Sequence, residues 1–487
     1  MSDSAALLPL RERLAAEAAH EGITLARRAL GAGLAVTGEK KERHAIPLSA
    51  TPVILDADDI RRRGELARSL GSASVKLAQA AVEEGRSTLL AALSPLELAM
   101  ARRQRGKPLR LACVRVDSLV ADARPWALEV NATIPAMQGY SDMAAEALIS
   151  VLGERARLPP IEIARLQREN GSNARALHRA LVDGYRAVTG HALPPRRIAL
   201  LCRRGDSQLT ELQFLAQRFS AEGTPASVVH PDALHFGDKV YAGDTPVDLV
   251  YRHLFVRRLE PQPQLELTAF FAGELAQGTV LLNPPASQVE AKSNFALLSL
   301  AIHDEDLASR ARLTPEEREA AQEAVPWTRT FVRGSVDGPD GEPVTSLVDF
   351  VAANPSDFVL KRAWGYGGGA VHVGTEVPPE AWARLCQETA LDRTGGYVVQ
   401  ARVVTRRERH RVCTEAGVSE REWFVDYSAY ASVNIETAAD WSGVCRGAPS
   451  AVVNIAGGGG VVPVLRRSVA VALAQALEAR ANLSRTA

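Results

Sequence analysis

From Pro194 onward, apolar strand-like runs alternate with helix-like runs, and this alternation limits the possible folds more than any other feature of the chain. RRIALLCRR, the helix-like DSQLTELQFLAQRFSAEG, PASVVHP, VDLVYRHLFV and TVLLNPP follow one another between 196 and 285. Strands that recur with helices between them run parallel, and the helices cover the sheet. A small parallel sheet is therefore expected here.

The rest of the chain has a different grain. Residues 1 to about 105 are rich in Ala, Leu, Arg and Glu, with helical periodicity over 58–83 and 86–104 and a helix start at Ser94-Pro95-Leu96-Glu97. This section reads as mainly helical. Two strand-like runs follow, LACVRVD (111–117) and WALEVNA (126–132), joined by a polar, Pro-containing connection that suits a hairpin. Residues 142–188 return to helix. After the parallel-sheet section come helices near 288–303 and 314–324 and an exposed loop, GSVDGPDGEP (334–343). FVLKRA, WGYGGG and AVHVG then read as strand, loop and strand, followed by a helix near 379–390 and strands YVVQARVV, WFVDYSAYASVNI and SAVVNIA. This last part reads as an α+β nucleotide-binding region. At 487 residues the chain exceeds what a single core sustains, and the boundaries fall at 1–155, 156–290 and 291–487.

Composition narrows the function. Lys plus Arg and Asp plus Glu each number 57, so no global field favours nucleic acid or an anionic membrane. No apolar run approaches the ~18 residues of a membrane span, and the charged N-terminus lacks a signal-peptide core. Five cysteines without CxxC pairs argue against a disulfide framework or zinc site, so a cytoplasmic protein is expected. There is no GxSxG, no HExxH, no GxxxxGK[ST], and no GxGxxG that follows a strand and opens a helix.

Four residues of the two short strands carry the strongest signal. Strand side chains alternate faces, so Arg115 with Asp117, and Glu129 with Asn131, each share a face, and pairing the strands brings all four together. Two carboxylates and an amide oxygen form a hard site suited to magnesium, with Arg115 beside it; a solvated polar face is the alternative. The second signal is the strand ending in Lys361 and its glycine loop, Gly365, Tyr366, Gly367, Gly368 and Gly369, where backbone N–H groups can approach phosphate oxygens. A tight hairpin turn is the alternative. Gln400 interrupts the apolar run YVVQARVV, a segment that suits an adenine edge. Lys292 begins an amphipathic helix, where a solvated lysine is the ordinary outcome. The cluster NIAGGGGVVPVL (454–465) reads equally as a ligand-covering loop or a turn. Arg252 and His253 are candidates for an acceptor site, with a structural role as the alternative.

In their order and spacing these residues resemble the circularly permuted ATP-grasp proteins, the group that includes the synthetase part of glutathionylspermidine synthetase. That family carries an R-x-D strand and an E-x-N strand early in the chain, matched by Arg115, Asp117, Glu129 and Asn131. The resemblance spans about 110–467 and implies a permuted ATP-grasp fold, with a pre-ATP-grasp α/β unit at 195–285. It implies magnesium ligation by Asp117, Glu129 and Asn131, and phosphoryl contact by Arg115. ATP contacts fall to Lys292, Lys361, the glycine loop 365–369 and Gln400. The implied reaction joins a small-molecule or peptide carboxylate to an amine through an acyl phosphate; a homodimer is compatible. Arg362 stands where the family commonly has Pro, and the loop lacks the family's lysine before its last glycine. Two other readings remain: a nucleotide-binding scaffold without ligase activity, and a small-molecule phosphotransferase.

Overall fold

The two short runs form a hairpin, with Leu111–Ala121 pairing antiparallel to Arg124–Asn131. On its other side Leu111–Ala121 pairs with the long strand Gly417–Val433, which makes it an interior strand. Its Val114 and Val116 face the helix Ala57–Glu84, which runs so close that a Cβ on Gly71 would lie 2.8 Å from Val114 Cγ2. With that face sealed by the helix, Arg115 and Asp117 point the other way. The computed structural model describes residues 4–38, 42–122, 124–261, 264–365, 369–392, 396–455 and 457–486; Tyr366, Gly367 and Gly368 of the glycine loop lie outside the described residues.

The hairpin edges a seven-stranded sheet. Its order runs from Glu408–Thr414 through Leu48–Ser49, Gly460–Val462, Val444–Ala448 and Gly417–Val433 to Leu111–Ala121 and Arg124–Asn131. Glu408–Thr414 also pairs with the first half of Gly417–Val433, which closes five of the strands into a ring.

Residues 1–105 are less uniformly helical than expected. Ala35–Thr37, Leu48–Ser49 and Val53–Leu55 are strands. Runs of two or three residues have no period of their own; these last two exist because Cys413, Val461 and Val464, far along the chain, present pairing edges. SAVVNIA is the converse case, since no strand forms at 450–455. The pairing falls instead on Gly460–Val462, where a Cβ on Gly460 would sit 2.3 Å from Pro47 O, an approach only glycine allows. The helix expected at 288–303 is two, Ser287–Glu290 and Lys292–Leu300, because Lys292 N–H donates to Ala363 O (2.8 Å) instead of into the helix.

The alternating section folds as expected from its pattern. Val280–Leu282, Leu249–His253, Ile198–Cys202 and Ala226–Val229 form a four-stranded parallel sheet in that order. Leu209–Ala221 and Asn173–Thr189 pack against it. A second four-stranded sheet, all antiparallel, orders Thr328–Thr330, Tyr397–Ala401, Phe358–Arg362 and Val371–Val373. Leu347–Ala353 and Pro379–Thr389 cover one face of it over a core of Phe358, Leu360, Trp382 and Val399. Lys361 lies on the opposite face, since its side chain alternates with Leu360.

Candidate functional site

A cavity of about 640 Å³ lies where the three sheets meet, lined by Arg115, Asp117, Glu129 and Asn131. The hairpin register places Asp117 directly opposite Glu129 and Arg115 directly opposite Asn131. Arg115 forks onto Asp117, with Nε 2.6 Å from Oδ1 and a terminal nitrogen 3.0 Å from Oδ2, and its other terminal nitrogen donates to Ala136 O at 2.9 Å. Both residues are buried.

A second guanidinium reaches the same carboxylate. Arg446 Nη2 is 2.8 Å from Asp117 Oδ2, and Arg446 also holds Asp426 through its backbone N–H and its fork. Burial alone would raise the Asp117 carboxyl; Arg115 and Arg446 overcome it and keep the group well below the usual carboxylate range. For Asp426 burial prevails over Arg446, with Asp117 adding to it, and its carboxyl is raised. Neither Arg446 nor Asp426 was singled out in the sequence, although a signal exists: each is a charged residue inside an apolar strand, in VCRGA and WFVDYSAY.

The two lysines complete the wall opposite. Lys292 Nζ is 3.0 Å from Glu129 Oε2 and 3.0 Å from Gly365 O, tying the hairpin to the start of the glycine loop. Lys361 Nζ is 2.6 Å from Gln400 Oε1 and 3.3 Å from Leu128 O. Burial pushes its ammonium down to about 8, against the pull of Glu129. Gln400 also donates to Thr328 Oγ1 at 3.1 Å, so its side chain positions Lys361. Its backbone is paired on both sides, because Tyr397–Ala401 is an interior strand. Val403 and Val404 follow it and line the cavity. Gly365 and Gly369 also line it.

The Arg252–His253 pair divides. Arg252 is fully buried and donates to the carbonyls of Asn283 (3.0 Å), Leu254 (2.6 Å) and Pro284 (2.9 Å), which gives it a structural role. His253 lines the cavity, 3.2 Å from Gln208 Oε1, and burial lowers its pKa, so the ring is neutral at pH 7. Asn283 ties the parallel sheet to the hairpin. Its Oδ1 accepts from Ala112 N (2.8 Å), and its Nδ2 donates to Cys113 O (2.6 Å) and Ala132 O (2.8 Å).

As a magnesium site the donor set is of the right kind: carboxylate and amide oxygens, few in number, beside open space for phosphate oxygens. Glu129 keeps 29% of its side chain exposed in the cavity it lines. The Asn131 Nδ2 is buried with no hydrogen-bond partner among the described residues, so no bond from that nitrogen has to break for the amide to turn its oxygen toward a cation. No group of three or more His, Cys, Asp or Glu suited to a metal occurs among the described residues; the amide and the phosphates have to supply the remainder. The donors fit on the condition that Arg446 yields its place at Asp117.

Fold and cavity together define a mixed α/β multidomain protein whose cleft lies between an antiparallel sheet, a parallel sheet and the central hairpin. The solved structure of a glutathione synthetase-like effector from Globodera pallida, in apoform, shares this fold: the TM-score is 0.60 at 12% identity, over 92% of this chain and 96% of that one. A putative gamma-glutamylcysteine synthetase from Methylobacillus flagellatus KT aligns over 86% of this chain and 98% of its own at 12% identity, with a TM-score of 0.38. No protein-family model and no curated protein matches the sequence. Among the described residues, no helix is long and apolar enough to cross a membrane.

Proposed function

We propose that this chain is an ATP-dependent carboxylate–amine ligase of the circularly permuted ATP-grasp type, forming an amide through an acyl phosphate and releasing ADP and phosphate. One observation carries the reading: Asp117, Glu129 and Asn131 meet Lys292, Lys361 and Arg115 across one cavity, although they come from three separated stretches of chain. In this reading 1–155 supplies the metal-binding strands, 156–290 the pre-ATP-grasp unit and 291–487 the nucleotide region. The first and third share the seven-stranded sheet.

Phosphoryl transfer asks for positioning and for neutralisation of spread negative charge. Magnesium, when bound, supplies charge neutralisation at phosphate oxygens from the Asp117, Glu129 and Asn131 side. Lys292 and Lys361 offer ammonium donors to phosphate oxygens, and Gln400 aims Lys361. A substrate carboxylate oxygen attacks the γ-phosphorus and ADP leaves. The amine nitrogen then attacks the acyl carbon, phosphate leaves, and the nitrogen gives up a proton. In this reading Arg115 donates to the oxyanion that forms in this second step. Loss of such a donor typically costs ~3 kcal/mol, or about two orders of magnitude in rate. Arg115→Ala is therefore expected to slow turnover about a hundredfold at saturating magnesium and nucleotide, and an unchanged rate removes it from the mechanism.

The deciding experiment is magnesium-dependent ADP release by the full chain, wild type against Asp117→Asn and Lys361→Ala, with pooled carboxylates and amines. Release that needs both substrates and disappears in both variants supports the ligase. Release with one substrate alone indicates a phosphotransferase, and no nucleotide binding by calorimetry indicates a scaffold.

A further inference from the structure

The cavity has a second, chemically different end. Among the described residues, eight lysine or arginine side chains line it against four carboxylates. A magnesium–nucleotide complex offsets only part of that excess. Arg115, Arg446 and Lys292 are engaged with the acidic cluster already described, and Lys361 is held by Gln400 Oε1 and Leu128 O. On the wall formed by the parallel-sheet unit, Arg203 and Arg258 stand against a single acid, Asp206. Arg203 is a loose 3.7 Å from Asp206, and the exposed Arg258 side chain has no ion-pair or hydrogen-bond partner among the described residues. The other polar groups on this wall, Gln208 and neutral His253, carry no charge.

From this unbalanced wall we infer that one substrate carries a second, non-reacting carboxylate anchored by Arg258 and Arg203. The substrate class is thus an anionic amino acid or short peptide, and polyamines are disfavoured. The inference rests on the ligase reading above for the word substrate, but the anion pocket itself does not. A guanidinium suits a carboxylate through two parallel N–H donors, whereas a polyamine placed here meets like charge with one acid to offset it. The apolar part of the same cavity, with Val36, Phe255, Val452 and Ile455, accommodates the body of such a molecule.

The test is calorimetry on the full chain with magnesium and a non-hydrolysable ATP analogue, using alanylglutamate, its diamide and spermidine as probes. Alanylglutamate is expected to bind at least tenfold more tightly than either of the others, and Arg203→Gln with Arg258→Gln to abolish the preference. Both side chains are exposed, and circular dichroism verifies that the variant folds. Tighter binding of spermidine, equal binding of the diamide, no binding of alanylglutamate, or a preference that survives in the double variant overturns the inference. Binding of the analogue is titrated separately. If it fails while alanylglutamate still binds, the ligase reading falls and the anion pocket stands; the reverse result sinks only the pocket.

Discussion

At the scale of the residue, the site is a set of charges held in mutual check. Asp117 is shared by two guanidinium groups and Glu129 is held by Lys292, so no carboxylate among these faces the cavity uncompensated. A buried charge left alone would cost several kcal/mol, and each is paired accordingly. Lys361 is the exception: its nearest polar partners, Gln400 and Leu128 O, are neutral, and burial lowers its pKa to about 8. The sign follows directly. Below about pH 8 the ammonium is present to meet phosphate, above it the charge is lost, and bound phosphates pull the pKa back up. Nucleotide affinity in the absence of magnesium is therefore expected to fall as pH rises through about 8, with proton uptake on binding. Lys361→Met should bind more weakly and show no such inflection between pH 7 and 9 in fluorescence or calorimetric titrations; a wild-type profile without an inflection contradicts the lowered pKa.

At the scale of the element, the hairpin matters more than its length suggests. One side chain, Asn283, satisfies Ala112 N, Cys113 O and Ala132 O, and so binds the end of a parallel strand to both strands of the hairpin. Truncating it strands buried backbone groups, each at ~1–3 kcal/mol when unsatisfied. Asn283→Ala is expected to destabilise the protein by about 2–4 kcal/mol in urea unfolding, and a loss within ~0.5 kcal/mol would show that these bonds are dispensable. The pattern of alternating polar residues made this hairpin legible in sequence, because a shared face follows from period two alone. Its tether was illegible: Asn283 lies in TVLLNPP, where it reads as ordinary turn chemistry. Arg446 and Asp426 were hidden similarly, each being one charge in an apolar run whose partner lies on a different strand.

At the scale of the whole molecule, the cavity is lined from all three sheets, so a ligand that fills it links them. A ligand that binds only the folded chain stabilises it by about 2.7 kcal/mol at a hundred times its dissociation constant. The non-hydrolysable ATP analogue with magnesium is expected to raise the thermal midpoint, and Asp117→Asn to remove the magnesium-dependent part of that rise. A magnesium-dependent shift that Asp117→Asn leaves intact would move the metal to other ligands.

The sequence by itself determined the elements with a strong period. These are the long helix at 57–84, the parallel strands and their covering helices, the hairpin with four polar residues on one face, and the strand that carries Lys361. Such features are local, because the spacing of apolar and polar residues already states which face is buried. Only the tertiary structure decided which far-apart segments meet. It put Leu48–Ser49 between strands from the other end of the chain, moved the last pairing from the valines of SAVVNIA to Gly460–Val462, and placed Arg446 against Asp117. The reason is physical. A two-residue strand, a glycine that lets a carbonyl approach, and an ion pair between distant strands have no periodic signature. Their stability comes entirely from partners brought near by the fold.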